Sequence, residues 1–269
     1  MSKSDAKIIK NIFLKFNNIE DQKKMFHEFL FDITSVCNLN CTNCSVFCGL
    51  REPYYITIEE FREQLFNLRS KVPVSFVSFC GGEPTLHPHF MELCEELFKQ
   101  IPDCFLQIIT NGTLLDKISD ENLKFLSKYN VSFAITIYPK IQYINKVKAF
   151  EEKCKKFYPN IEILIKGIRP YFGKYSYNFD GTNDPEDFYY TCEKSKQFHT
   201  FVIFKNRIYN CCISPDYSAI NLPQDEADSF SMYDLPSYED LLHFGNHSYN
   251  CCKYCSTNTT LGQPLHFWH

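Results

Sequence analysis

The segment Phe29–Cys44 reads FLFDITSVCNLNCTNC. Its first seven residues, Phe29–Ser35, are apolar and aromatic enough for a buried strand. The strand runs into Cys37, Cys41 and Cys44, a CxxxCxxC spacing. Three thiolates within one short loop can wrap one face of an iron–sulfur cubane and leave its fourth iron open to a small chelating ligand. A structural zinc wants four ligands, commonly as two CxxC-like pairs. The spacing is therefore a poor zinc pattern, and Cys48 is the residue that could complete one.

Outward from this strand the chain alternates. Thr57 and Glu60 form a capping-box pair ahead of Ile58, Phe61, Leu65 and Leu68 at helical spacing. Pro73–Phe79 predicts a second strand, and Phe90, Leu93, Cys94, Leu97, Phe98 and Ile101 a second helix. Phe105–Ile109 is a third strand, and Ser119 caps a helix carrying Leu123, Leu126 and Tyr129. Val131–Tyr138, a Lys-rich helix to about Phe157, and Ile161–Ile165 complete the series. Strands alternating with helices predict α/β architecture with a parallel sheet, five to six βα units in a curved, open barrel. In such folds the chemistry sits on the loops at the C-terminal strand edges.

Residues 1–27 read as a lead-in containing the amphipathic stretch Ile8–Phe16, and residues 28–185 as the partial barrel. From about Tyr171 the periodicity stops. Phe201–Phe204 and Ile208–Cys211 flank Lys205–Asn206–Arg207 as a hairpin, a helix follows near Tyr238–His243, and the end is Cys-rich. Residues 186–269 thus predict a second unit, too small to bury much core without a metal staple.

The chain has 269 residues, a net charge of −4 and 14 cysteines. That charge gives no footing for a nucleic-acid or membrane partner held by bulk electrostatics. No apolar run approaches the roughly 18 residues of a membrane span. The start, MSKSDAKIIK, lacks the apolar region of a secretory signal, so a cytoplasmic location is expected. Thiols are kept reduced there, and this many cysteines then read as metal or catalytic chemistry rather than disulfides.

Cys80-Gly81-Gly82-Glu83-Pro84 closes the second strand, and Thr110-Asn111-Gly112 the third. With the CxxxCxxC loop in register before them, residues 28–167 resemble the radical SAM superfamily, whose hallmarks are CxxxCxΦC, GGEP and TNG. The residue before the last cysteine is usually aromatic and here is Asn43. The resemblance implies a (β/α)6-type partial barrel and a [4Fe–4S] cluster on Cys37, Cys41 and Cys44, with S-adenosylmethionine on the fourth iron. It places Gly81, Gly82 and Glu83 at the ligand's ammonium and Asn111 and Thr136 at its ribose. Asn43 stands where the adenine contact is expected. Reductive cleavage of the sulfonium to a 5′-deoxyadenosyl radical would follow, with a flavodoxin- or ferredoxin-type protein as reductant.

The C-terminal unit holds Cys192, Cys211-Cys212, Cys251-Cys252 and Cys255. It resembles the "twitch" extension, a trimmed SPASM domain, in which such cysteines bind an auxiliary [4Fe–4S] cluster. Asn206 takes the place of a glycine five residues before Cys211, and Asn is the next best residue for positive φ. The register favours Cys192, Cys211, Cys252 and Cys255, with Cys212 and Cys251 as the alternatives to their neighbours. Alone, these spacings fit a structural zinc. CNLNC at Cys37–Cys41, GGEPTLHP from Gly81, Tyr138-Pro139, and Cys252–Cys255 followed by Trp268 resemble short radical SAM proteins of carbohydrate and polysaccharide pathways, which implies a small sugar-like substrate, and an auxiliary cluster able to accept an electron implies its oxidation as an alcohol. Lys166, Arg169, Arg51, Tyr138 and His87 lie near the same rim as candidates for hydroxyl or phosphate contacts. Two alternatives remain: sugar epimerisation, with Cys48, Cys80 or a spare C-terminal cysteine as hydrogen donor, and peptide modification by thioether formation or epimerisation. About 28 residues before the first strand leave little room for a leader-peptide domain.

Overall fold

The structure is a computed structural model describing residues 27–41, 44–138, 140–168, 179–187, 200–245 and 248–255. The strands are β1 (Glu28–Thr34), β2 (Phe76–Gly81), β3 (Phe105–Thr110), β4 (Asn130–Ile137) and β5 (Ile161–Ile168), followed by β6 (Thr200–Phe204), β7 (Arg207–Tyr209) and β8 (Ser229–Ser231). The helices are α1 (Ile58–Lys71), α2 (Phe90–Gln100), α3 (Asp120–Leu126), α4 (Ile141–Phe157) and α5 (Tyr238–Phe244). They form one open sheet of order β5-β4-β3-β2-β1-β6-β7-β8. From β5 through β6 every pairing is parallel, and β6-β7-β8 is antiparallel.

Local chemistry sets these elements. Thr57 and Glu60 make the expected reciprocal capping box at α1, and the Ser119 hydroxyl caps α3. Pro73 lacks the N–H a ladder needs, and β2 starts at Phe76 rather than Pro73. Central strands alternate between two apolar layers. Phe29, Phe31 and Ile33 of β1 are fully buried on the helix side, where Phe31 meets Phe61 of α1 edge-on at 5.0 Å and Phe61 meets Phe79 at 5.5 Å. On the other side Phe76, Phe105, Ala134 and Leu164 close a smaller cluster, with the Phe76 and Phe105 rings 5.2 Å apart.

The expectation of an open α/β barrel holds, and β6, read from the sequence as a strand of the C-terminal hairpin, adds beside β1 with Glu28 opposite Thr200. The hairpin of the C-terminal unit therefore extends the barrel's own sheet. The three-residue β8 carries no periodic signal in the sequence. The stretch Ile8–Phe16 lies outside the described residues. No helix among the described residues is long and apolar enough to cross a membrane.

Candidate radical-cluster site at the C-terminal edge of the sheet

The cysteine loop begins where β1 ends, and its stem is pinned on both sides. Ser35 donates its N–H to the Tyr54 carbonyl at 3.1 Å, and its hydroxyl donates to Glu52 O at 2.7 Å. Tyr54 N–H donates back to Ser35 Oγ at 2.7 Å, and the Thr34 hydroxyl donates to Tyr54 O at 2.9 Å. Between these pins the chain turns through Cys44 N–H to Cys41 O at 3.1 Å and Phe47 N–H to Cys44 O at 3.2 Å.

Cys37, Cys41 and Cys44 are half-buried free thiols close enough to act on one another electrostatically. Cys48 joins them: its thiol points at Gly81 O from 3.9 Å, and its contact with the sulfurs of Cys37 and Cys44 holds its own proton tightly. That contact lowers Cys37, and it brings Cys44 down to about 6. Burial, with the neighbouring sulfurs, pushes Cys41 up to about 12. Tyr138 hydrogen-bonds Cys41, and Leu39 N–H points at Cys37 Sγ from 3.4 Å. No group of three or more ligating side chains among the described residues is arranged to hold one metal ion. Three thiolates are a soft donor set that suits an iron–sulfur cluster. Asn43 lies outside the described residues.

The second loop lies directly against the first. Gly82 N–H donates to Thr34 O at 2.7 Å and Glu83 N–H to Val36 O at 2.9 Å. A Cβ on Gly81, whose φ is +137°, would sit 2.1 Å from Thr34 O, and one on Gly82 2.2 Å from Val36 O. Both glycines are thus required for backbone to pass backbone beside the cysteines. Glu83 has no exposed surface. Its Oε1 accepts from Thr85 N at 3.2 Å, Thr85 Oγ1 at 2.6 Å and Thr110 Oγ1 at 2.7 Å, and its Oε2 from Asn111 N at 2.7 Å. Burial pushes its pKa up, and these donors oppose the rise. In the described structure the carboxylate ties the ends of β2 and β3 together rather than facing open space.

Asn111 is 7% exposed and is likewise engaged. Its Nδ2 donates to Asn38 Oδ1 at 2.9 Å and points at Cys37 Sγ from 3.8 Å, while its Oδ1 accepts from Thr113 N and Oγ1 at 2.9 and 2.6 Å. Asn38 Nδ2 donates to Thr113 Oγ1 at 2.7 Å. The third loop therefore clamps the first. Thr136 is half-buried near the end of β4.

The rim candidates separate. Lys166 is exposed, and Arg169 lies outside the described residues. His87 is buried: its Nε2 bonds Ile56 O at 2.9 Å and its Nδ1 accepts from His89 N–H at 3.1 Å, and burial lowers its pKa. Cys80 is half-buried beside Asp32 on β2, and desolvation raises its thiol. Arg51 is buried between Asp32 and Asp216, at 2.9 and 3.0 Å. Sequence reasoning missed both aspartates. Asp32, a lone charge in an apolar central strand, was the signal for one of them.

In the C-terminal unit, the Cys251 thiol lies against the sulfurs of Cys211 and Cys252, and its contact with Cys211 brings that thiol down to about 6. Asp228 holds the turn by accepting from Asn250 N and Cys251 N, each at 2.7 Å. Cys255 N–H closes onto Cys252 O at 3.1 Å. The hairpin turn puts Lys205 and Asn206 at φ +45° and +61°, the conformation for which Asn substitutes for Gly. Cys251, the alternative in the sequence reading, is the thiol facing Cys211. Cys192 lies outside the described residues.

Comparison with known proteins agrees with this geometry. The chain is 28% identical over 140 residues to the 7,8-dihydro-6-hydroxymethylpterin dimethyltransferase of Methanocaldococcus jannaschii, covering 51% of this chain and 26% of that protein. It is 28% identical over 147 residues to a probable GTP 3′,8-cyclase of Pyrococcus abyssi, covering 51% and 47%. The chain thus spans about a quarter to a half of the length of these curated relatives. In fold it is similar to the crystal structure of BtrN in complex with AdoMet and 2-DOIA, with a TM-score of 0.50 at 15% identity over 87% of this chain and 94% of that one. The family model of the radical SAM superfamily matches residues 31–170, just over half of the sequence, and the chain belongs to that superfamily.

Proposed function

We propose that this protein is a radical SAM enzyme that oxidises an alcohol on a small, sugar-like substrate. The observation that supports it most is the set of three thiols on the loop closing β1, with the glycine edge of β2 packed against them. Cys37, Cys41 and Cys44 would hold the [4Fe–4S] cluster. When bound, cluster and S-adenosylmethionine supply a 5′-deoxyadenosyl radical for hydrogen abstraction. The chain's own part is to shape and shield that site. The Glu83 carboxylate positions the β2 and β3 ends from behind, and Asn111 with Asn38 holds Cys37 in place. Gly81 and Gly82 leave the strand edge bare of side chains, so a ligand's ammonium could meet carbonyl oxygen there. Thr136 is the ribose candidate on β4.

The second cysteine set supports the oxidative reading. Cys211, with Cys251 or Cys252, then Cys255 and Cys192, would hold an auxiliary cluster in residues 186–269, and a fully ligated cluster serves electron transfer. The substrate would lose a hydrogen atom to the radical, one electron to this cluster and one proton to a base, leaving a carbonyl. A flavodoxin- or ferredoxin-type reductant would supply the first electron. Sugar epimerisation is the second reading, supported by Cys80, whose burial opposite Asp32 keeps the thiol protonated, as a hydrogen donor requires.

Anaerobic reconstitution tests both halves: wild type should hold about eight irons, and the triple Cys37/Cys41/Cys44→Ala variant about four. Zinc at the C-terminal cysteines with about four irons in the wild type would remove the auxiliary cluster. Mass spectrometry of the product separates the two reactions. A loss of about two mass units marks oxidation, and unchanged mass with one solvent deuterium marks epimerisation.

A further inference from the structure

Arg51 connects three segments that have no sequence proximity. Its Nη2 lies 2.9 Å from Asp32 Oδ2 on β1, and its Nε lies 3.0 Å from Asp216 Oδ1 in the turn after Cys211-Cys212. Its Nη1 reaches Val46 O at 3.5 Å, inside the cysteine loop between Cys44 and Cys48. The guanidinium also lies over the Phe204 ring of β6, 4.4 Å from its centroid. All three charged side chains are at most 4% exposed. An isolated buried ion pair is seldom kept for stability, because desolvation of the charges offsets their attraction. What the arrangement offers is direction. Two arms of the planar fork donate to Asp32 and to the Val46 carbonyl, while Nε faces Asp216 as an ion pair, a geometry that a lysine ammonium cannot reproduce. The second carboxylate oxygen of Asp32 is buried without a hydrogen-bond partner and abuts Gly81, where a Cβ would meet it at 2.6 Å. The fork therefore also sets where Asp32 lies against the glycine edge.

We propose that Arg51 is a positioning residue through which the C-terminal unit sets the cysteine loop of the radical site. Asp216 aligns the guanidinium, and the guanidinium holds the Val46 carbonyl and Asp32. Cys44 and Gly81 are thereby placed relative to each other. The proposal rests on the reading that Cys37, Cys41 and Cys44 carry the cluster.

The test compares Asp216→Ala, which removes the group facing Arg51 Nε, with Asp216→Asn, which keeps an oxygen there. Both are made in the wild-type and in the Arg51→Lys background, and reconstituted protein is studied. The readouts are S-adenosylmethionine affinity by calorimetry, the change in the reduced cluster's EPR spectrum on adding it, and the midpoint potential. Asp216→Ala should weaken binding about tenfold or move the reduction equilibrium about tenfold, which is about 59 mV for a one-electron couple. Asp216→Asn should stay within about threefold. In the Arg51→Lys background Asp216→Ala should have little further effect, since coupled residues are not additive. Wild-type affinity, spectrum and potential in Asp216→Ala would overturn the proposal, as would an equal effect in both backgrounds. Should Asp216→Ala fail to fold, Arg51→Lys alone must show the altered spectrum, and an unaltered one overturns the proposal. Failure of the underlying reading looks different: wild-type protein would then hold no cluster that the triple cysteine variant loses.

Discussion

Replacing Glu83 should strike the fold of the site before it strikes ligand binding. In Glu83→Ala four donors lose their acceptor. The N–H of Asn111 and the hydroxyl of Thr110 are buried, while Thr85 is half-buried and can turn to water. A buried donor left unpaired costs about 1–3 kcal/mol. Two of them, with some loss of packing, give about 3–5 kcal/mol, against a typical total stability of about 5–15 kcal/mol. Glu83→Gln keeps one oxygen for the threonines but turns its NH2 group on the Asn111 N–H. One donor then stays unmet, and the loss should be about 1–3 kcal/mol. Denaturant unfolding of iron-free protein should rank wild type above Gln above Ala. Calorimetry on reconstituted protein should show S-adenosylmethionine affinity falling in the same order. If both variants unfold within about 0.5 kcal/mol of wild type while affinity collapses, the carboxylate serves the ligand directly and the positioning role is wrong.

Gly82→Ala should abolish folding or cluster assembly outright, because its Cβ would meet the Val36 carbonyl at 2.2 Å; iron content and circular dichroism report the outcome. Asn38→Ala removes the bridge between Asn111 and Thr113, and should loosen Cys37 enough for faster alkylation of its thiol in iron-free protein, read by mass spectrometry. Cys48→Ala removes the donor that lowers Cys44, so Cys44 should lose thiolate character at neutral pH, measured by its alkylation rate against pH.

The barrel half was legible because its signals are local. The Thr57/Glu60 box, the Ser119 cap and the strand runs around Phe31, Phe79 and Phe133 each declare an element without reference to the rest. The cysteine spacing and the two glycines likewise point to the loops that carry the site. What stayed hidden is long-range. Nothing in Thr200–Phe204 says that it pairs with Glu28–Phe31. Asp32, Arg51 and Asp216 read as three ordinary charges until the fold brings them together. Glu83 and Asn111 sit where the motifs place them, yet their polar atoms are occupied by Thr85, Thr110, Asn38 and Thr113, partners that spacing alone does not reveal.

The pairing of β1 with β6 has a cost in time. Glu28 and Thr200, whose side chains bond at 3.0 Å, are 172 positions apart. A ribosome adding about 5–20 residues per second needs roughly 10–30 s to cover that distance. Until β6 emerges, the ladder groups of Glu28–Phe31 that it will pair have no partner among the described strands. An apolar strand with an open edge is a template for pairing between chains. The nascent barrel can close β1 to β2 early, but it must wait for the C-terminal unit to cover the other side. Growth conditions that slow translation, or truncation before Thr200, should therefore favour aggregation even though every barrel strand from β1 to β5 is present.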